Sequence, residues 1–172
     1  MKKGSILILL LMILTGCQNQ QKIGFVDNGK VVNEYQAKKD IEEKYNKKQQ
    51  EFQKRTDSIG KAFQLEAQEV QSKFSSMSQS KQQEQYQLLG QKQKMLQQQI
   101  QSEQQQMQQA FQTEIDSVIA KVKGFVKKYG KNHGYTYILG TSDNVASVLY
   151  GAEENDLSKI VIDSLNANYK KQ

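Results

Sequence analysis

Through the middle of the chain the apolar residues recur with helical spacing. Ile41, Tyr45, Phe52, Ile59, Phe63, Val70, Phe74 and Met77 follow one another at steps of 4, 7, 7, 4, 7, 4 and 3. Such steps put all eight on one narrow stripe of an α-helix. The residues between them are mostly Lys, Glu, Gln and Ala, which favour helix. The chain has no proline, so the strongest helix breaker is absent throughout. A second stripe follows: Leu89, Leu96, Ile100, Met107, Phe111, Ile115, Val118, Val122 and Phe125, at steps of 7, 4, 7, 4, 4, 3, 4 and 3. Two long helices are predicted, each wetted all round except along one apolar seam, which is the pattern of a coiled coil.

Seventeen of the 34 residues from Gln79 to Gln112 are glutamine. A low-complexity tract bound for disorder or aggregation would carry no helical period. Here the glutamines coat the wet face of a helix, where an uncharged amide keeps good helix propensity. Between the two stripes lies Ser75–Ser80, "SSMSQS". Serine competes for backbone hydrogen bonds and so favours caps and turns. A reversal there folds the two seams onto each other as an αα-hairpin arm over residues 37–119, with its tip near 75–80. Arms of about 38 residues would reach roughly 57 Å at ~1.5 Å per residue. Gly60 and Gly90 sit inside the arms at comparable distances from the tip. They are either a bending level or tolerated glycines.

The two ends of the chain read differently. Ile23–Val26 is short, apolar and β-prone, and Asp27-Asn28-Gly29 after it is a turn or helix-start signal. Tyr135–Leu139 and Val145–Tyr150 flank the loop "GTSDN" and read as a β-hairpin. Asp156 is placed to cap a last helix with Leu157, Ile160, Val161 and Leu165 on one face. A lone hairpin is marginal in water, so the strand at Ile23 is expected to pair with those near Tyr137 and Leu149. The fold class is therefore α+β. A small β-rich body, residues 17–36 and 120–172, carries the helical hairpin as an insertion. Its expected core is Ile23, Phe25, Val26, Tyr137, Leu139, Val148, Tyr150, Leu157, Val161 and Leu165. So small a body has a poor surface-to-volume ratio and would gain from oligomerising.

The first residues set the compartment. Lys2 and Lys3 precede an apolar run from Ile6 to Leu14. That run is well short of the ~20 residues a membrane-spanning helix needs. It fits the core of a signal peptide, residues 1–16. "LTGC" follows and resembles a bacterial lipobox, with Cys17 as the lipid attachment site. An ordinary signal peptide with a chance cysteine is the alternative. Cys17 is the only cysteine, which excludes an intrachain disulfide. Cleavage before Cys17 removes Lys2 and Lys3, lowering the formal charge from +6 to +4. A basic balance can mark nucleic-acid binding, but a secreted, lipid-anchored chain does not meet chromosomal DNA. Acidic proteins or anionic lipid head groups are the expected partners, and nucleic acid is not.

Candidate chemistry is sparse. His133 is the only histidine and sits in "KNHGY", without the second histidine or cysteine a metal site needs. No nucleophile elbow or phosphate loop is visible. No enzyme, metal or cofactor is expected. Lys121, Lys123, Lys127, Lys128 and Lys131 crowd one acid-free segment at the junction of arm and body. They form either a basic lining for acidic clients and lipid phosphate or, more plainly, a solvated helix end where cations suit the macrodipole.

Taken in order, a "KIGFVD" strand, a long Lys/Gln/Glu helical hairpin, "GYTYILG", "VLYG" and a closing "DLSKIVIDSLN" helix resemble the Skp/OmpH family of periplasmic chaperones. The resemblance spans Lys22 to about Asn166, and its most specific parts are the two body segments. It implies a jellyfish-like homotrimer whose three helical tentacles enclose a cavity. It also implies that unfolded outer-membrane proteins are held there against aggregation, in the periplasm. Phe74, Met77, Tyr86, Leu88 and Met95 then become client-contact candidates. Methionine in particular adapts to varied sequences. They could equally complete the hairpin seam. The alternative function is a membrane-anchored coiled-coil spacer of the cell envelope.

Overall fold

The computed structural model describes residues 21–142 and 147–170. The expected leader over residues 1–16, Cys17 and the Val145 end of the expected second hairpin strand lie outside the described residues. Strand β1 (Ile23–Asp27) runs into the short helix α1 (Asn28–Glu34), and the first arm helix, α2, follows (Gln36–Ser72). A single 3-10 turn at Phe74–Ser76 reverses the chain into α3 (Gln79–Asn132). Strand β2 (Tyr137–Thr141), a 3-10 turn at Glu153–Asn155 and helix α4 (Ser158–Tyr169) complete the chain.

Each helix boundary has a local cause. Asp27 caps α1, its carboxylate accepting from the Lys30 amide at 2.9 Å. Ser78 caps α3 by accepting from the Lys81 amide at 3.4 Å. At the tip, the Gln82 side-chain amide donates to the carbonyls of Phe74 (2.7 Å) and Met77 (3.1 Å). These carbonyls would otherwise be orphaned by the reversal. The far end of α3 stops where Gly134 takes φ +70° and the Tyr135 amide returns to the Gly130 carbonyl at 3.0 Å. That is a Schellman-type cap, which needs a residue able to adopt the left-handed conformation.

The arms are unequal. α2 has 37 residues and α3 has 54, because no breaker interrupts α3 before Gly134. Lys44 pairs with Glu114, Arg55 with Glu103, and Glu66 with Lys92. In each rung the two residue numbers add to the same total, so the arms run antiparallel without slip. By this register Gly60 lies opposite residue 98 and Gly90 opposite residue 68. The two glycines are thus staggered by eight residues, about 12 Å along the arm at ~1.5 Å per residue. They do not share the one bending level that their distances from the tip suggested, because the reversal is centred nearer α3. A Cβ at either would meet nothing within 4 Å.

Both arm roots enter the body's core. Val26, Val31, Leu157 and Val161 are sealed from solvent, joined by Tyr35, Ala37, Val118, Val122, Ile162 and Leu165. Helix α4 clamps the kink between α1 and α2. The Asn166 carboxamide accepts from the Gln36 amide (2.7 Å) and donates to the Glu34 carbonyl (3.2 Å). Tyr169 donates its hydroxyl to Asp40 at 2.8 Å. At the head of α4, Asp156 accepts from the amide (2.8 Å) and hydroxyl (2.5 Å) of Ser158. Buried Ser158 in turn accepts the Asp27 amide at 2.8 Å, tying the end of β1 to α4.

The sheet corrects the expected hairpin. It has two strands, β1 and β2, paired in parallel with Ile23 opposite Tyr137 and Asp27 opposite Thr141. Residues 147–150 are not strand, and Leu149 and Tyr150 are 92 % and 88 % exposed. One cause is that the free side of β1 is already taken. Phe25 bridges Asp156, and its carbonyl accepts the Leu157 amide at 2.9 Å. The body is therefore dominated by helix rather than strand. The expected core is corrected with it. Val26, Leu157, Val161 and Leu165 are buried, and Phe25 and Val148 are half-buried. Ile23, Tyr137, Leu139 and Tyr150 are exposed. Side chains alternate across a strand. Gly24 and Val26 turn inward, leaving Ile23 and Phe25 with their partners Tyr137 and Leu139 on the outer face.

Leu157, just before α4, is 1 % exposed, and Ile160, on its first turn, 44 %. Leu157→Ala should lower stability by about 2–5 kcal/mol in urea titration, and Ile160→Ala should stay within about 0.5 kcal/mol. Equal losses would mean the core is not where these exposures put it.

Candidate functional site

Along the arm the seam is thin. Tyr45 and Phe52 are buried on α2, and Tyr45 meets Phe111 of α3 edge-on with ring centroids 5.2 Å apart. Toward the tip, Ile59, Phe63, Val70, Leu89 and Leu96 are only half-buried. Two helices side by side can cover one stripe on each and no more. The outer arm consequently leaves large apolar side chains in water. Tyr86 is 61 % exposed, Leu88 49 % and Met95 59 %. Leu65, on α2, is 66 % exposed and was not among the residues singled out by spacing. The antiparallel register sets it at the level between Leu88 and Met95. Its signal in the sequence was its position off the stripe.

The five client-contact candidates separate into two groups. Phe74 and Met77 are half-buried in the tip, and the Phe74 ring packs on Tyr86 with centroids 4.6 Å apart. Leu88 and Met95, seven residues apart on one face of α3, line a groove of about 440 Å³ with Val70, Leu89, Glu66 and Lys92. The tip pair therefore completes the turn, whereas Leu88 and Met95 remain open.

The lysines also separate. Lys123, Lys127 and Lys131 are spaced by four along α3 and line one groove of about 400 Å³ against β2, floored by Val122, Val126, Gly130 and Ile138. Lys121 and Lys128 are exposed on α3 outside that groove. His133 closes the helix: its ring stacks on Tyr129 with centroids 3.9 Å apart, and its Nδ1 lies 2.9 Å from the Tyr129 carbonyl. Lys22 reaches the same end, its ammonium donating to the His133 carbonyl at 3.2 Å and lying 4.2 Å over the Tyr135 ring. This is helix-end chemistry, where a cation meets outward-facing carbonyls. Among the described residues no group of three or more His, Cys, Asp or Glu is placed to hold a metal ion. No helix among them is long and apolar enough to cross a membrane.

Electrostatics tie the arm to its root. Glu114 accepts from Lys44 at 2.6 and 2.9 Å and from the Tyr45 hydroxyl at 2.9 Å. The Lys44 ammonium, then the Tyr45 hydroxyl, hold its carboxyl below the ordinary glutamate value of 4.5. Asp40 is likewise held low, first by the Gln36 amide and then by the Tyr169 hydroxyl. Partial burial, and then Glu114, push the Tyr45 hydroxyl up.

Compared with known proteins, residues 22–165 match the family described as "Outer membrane protein (OmpH-like)". A crystal structure from Caulobacter crescentus CB15, of an OmpH-like protein described as a candidate outer membrane chaperone, superposes with a TM-score of 0.76. The two share 15 % sequence identity, over 90 % of this chain and 89 % of that one. At that identity the likeness is one of fold. No curated protein matches significantly by sequence.

A carboxylate whose pKa is depressed by folding adds stability above its unfolded value, and that stability is lost as pH falls through the folded value. The part of the melting temperature these groups supply should therefore be level from neutral pH down to 4.5, fall below it as Glu114 protonates, and fall further below 3.8 as Asp40 does. Glu114→Gln should melt lower than wild type at pH 7, with the gap closing in acid. A gap independent of pH would show that the charge on Glu114 is not what matters.

Proposed function

The chain belongs to the OmpH-like family of outer membrane proteins, and we propose that it is a periplasmic holdase that shields unfolded outer-membrane proteins between its arms. The observation that carries this reading is the outer arm, where Leu65, Tyr86, Leu88 and Met95 stand exposed among amide and charged side chains. Holding a chain without folding it calls for many weak contacts and no deep pocket. Isolated apolar side chains on a wet, glutamine-coated rod supply that. Each contact is small, and a long client can make many of them at once.

A cavity needs more than one arm, so this reading includes self-association as a homotrimer. The support is the outer face of the sheet. A parallel sheet is ordinarily covered on both faces. Here Ile23, Tyr137 and Leu139 are 44 %, 56 % and 43 % exposed, and Leu149 and Tyr150, further along the chain, are exposed as well. A second copy of the chain is the occupant that a small body with a poor surface-to-volume ratio would gain from most. The division into an arm of residues 37–119 and a body of 17–36 and 120–172 belongs to the same proposal. So does a lipid anchor at Cys17, which places the protein on a bacterial membrane facing the periplasm. An envelope spacer built on the same hairpin would need one fixed partner and no apolar side chains left open along the arm.

Two measurements test these points. Diluted from urea, a β-barrel protein should scatter less light in the presence of the chain, saturating near one trimer per client. Leu65→Ser, Leu88→Ser and Met95→Ser together should raise the amount of chain needed several-fold without changing assembly mass. Full suppression by the triple variant would remove these residues from the client surface, and no suppression by wild type would favour the spacer. Tyr137→Glu with Leu139→Lys should convert the assembly to monomers in light scattering after gel filtration. An unchanged mass would place the interface elsewhere.

A further inference from the structure

The structure shows where the chain preceding Lys22 leaves the fold. The ion pair of Lys44 with Glu114 sets the level of the arm roots, and by the same register Gln36, the first residue of α2, lies level with Val122. Helix α3 continues ten residues beyond that, to Asn132, about 15 Å further from the tip at ~1.5 Å per residue. Lys22 is pinned at that far end. Its carbonyl accepts the Thr136 amide at 2.8 Å and its ammonium donates to the His133 carbonyl at 3.2 Å. The polypeptide preceding Lys22 therefore emerges at the pole opposite the arm tip.

That pole is basic. Lys127, Lys128 and Lys131 lie on the last turns of α3 beside Lys22, all four exposed. From Ser117 to His133 helix α3 carries no acidic residue. Glu153 and Glu154, exposed on the turn packed against β1, are outnumbered by these four lysines. Of the other acids among the described body residues, Glu34 ends α1 beside the arm root. Asp27 lies at the end of β1 that points back toward the arms, and Asp156 bridges to Phe25 behind it. Asp163 is paired with Lys159 on α4.

Only four residues, Gln18 to Gln21, separate Cys17 from Lys22. Fully extended, the five steps from Cys17 to Lys22 span at most about 17 Å at ~3.4 Å per residue. Lipid chains on Cys17 would then keep the pole no further than about 17 Å from the head groups and let its lysines approach within the Debye length, ~8 Å at physiological ionic strength, where the surface attracts them. We propose that this pole, Lys22 with Lys127, Lys128 and Lys131, docks on the anionic phospholipid surface of the membrane to which the chain is anchored, so that the arms project away from it. The proposal rests on the lipid-anchor reading given above and is independent of the holdase reading. Tether and charge act together. The tether supplies the local concentration, and the lysines select the pole as the contact and fix the arms' direction. Each lysine near an anionic surface is worth about a five-fold change in partitioning.

The test uses the full lipidated chain, isolated from bacterial membranes, on vesicles of phosphatidylcholine with or without phosphatidylglycerol, both carrying a head-group quencher. Fluorophores are placed singly at the pole (Asn132→Cys) and at the tip (Ser76→Cys). On phosphatidylglycerol vesicles the pole fluorophore should be quenched and the tip fluorophore should not. Lys22→Gln, Lys128→Gln and Lys131→Gln together should abolish most of that quenching, as should high salt. Quenching at the tip equal to that at the pole would overturn the orientation. Pole quenching unchanged without phosphatidylglycerol, or unchanged in the triple variant, would overturn the role of the lysines. Intact mass showing no acyl chains on Cys17 would overturn the proposal as a whole. It would leave the holdase reading to the light-scattering assay.

Discussion

Strands β1 and β2 lie side by side and point the same way, with Phe25 opposite Leu139. A parallel pair cannot be closed by a tight turn; the chain must leave one end and travel back to begin the second strand at the other. In most proteins one helix makes that crossing. Here the crossing is the whole finger, out along α2, round the Phe74–Ser76 turn and back along α3. Everything distinctive in the molecule depends on that one crossover. The strands bring the chain's extremities together, and the arm is what lies between them.

A long arm on a small base is a lever, and the base is built to resist it. Val118 and Val122 of α3, Ala37 of α2 and Val31 of α1 share one core with Leu157, Val161 and Leu165 of α4. The polar clamps of Asn166 on the α1–α2 junction and of Tyr169 on Asp40 sit where bending would concentrate. Above the root the arm relies on a narrow seam and three cross-arm ion pairs. Exposed pairs of this kind add ~0–1 kcal/mol each. They serve better as markers of register than as sources of strength. Burial along the seam falls from root to tip, the direction in which large apolar side chains become exposed.

These gradients give the molecule two dissimilar ends. The outer arm offers scattered apolar groups and amides, suited to weak and repeated contact with an extended chain. The opposite pole offers lysines and the point where the chain preceding Lys22 enters the fold. On the proposed reading, such a separation would keep clients clear of the membrane. The groove of Lys123, Lys127 and Lys131 runs along the end of α3 against β2 toward that pole.

Much of this was legible in the residues themselves. The two stripes, the absence of proline and the serine cluster announced a helical hairpin, because helical periodicity is local and survives without knowledge of the partner. "KIGFVD" and "DLSKIVIDSLN" announced a body made from the chain's ends. What local pattern could not decide was pairing and depth. Tyr137 and Leu139 are β-prone and apolar, yet they face solvent in the single chain because they lie on the outer face of the sheet, and Tyr150 is not strand because the free edge of β1 is taken by Asp156 and Leu157. Val31 and Tyr35 are buried although no long period points to them, because α1 is too short to show one. The stagger of Gly60 and Gly90, the exposure of Leu65 and the exit of the chain at the basic pole all follow from the register of the arms. Register belongs to the packed pair of helices, so only the tertiary structure could supply it.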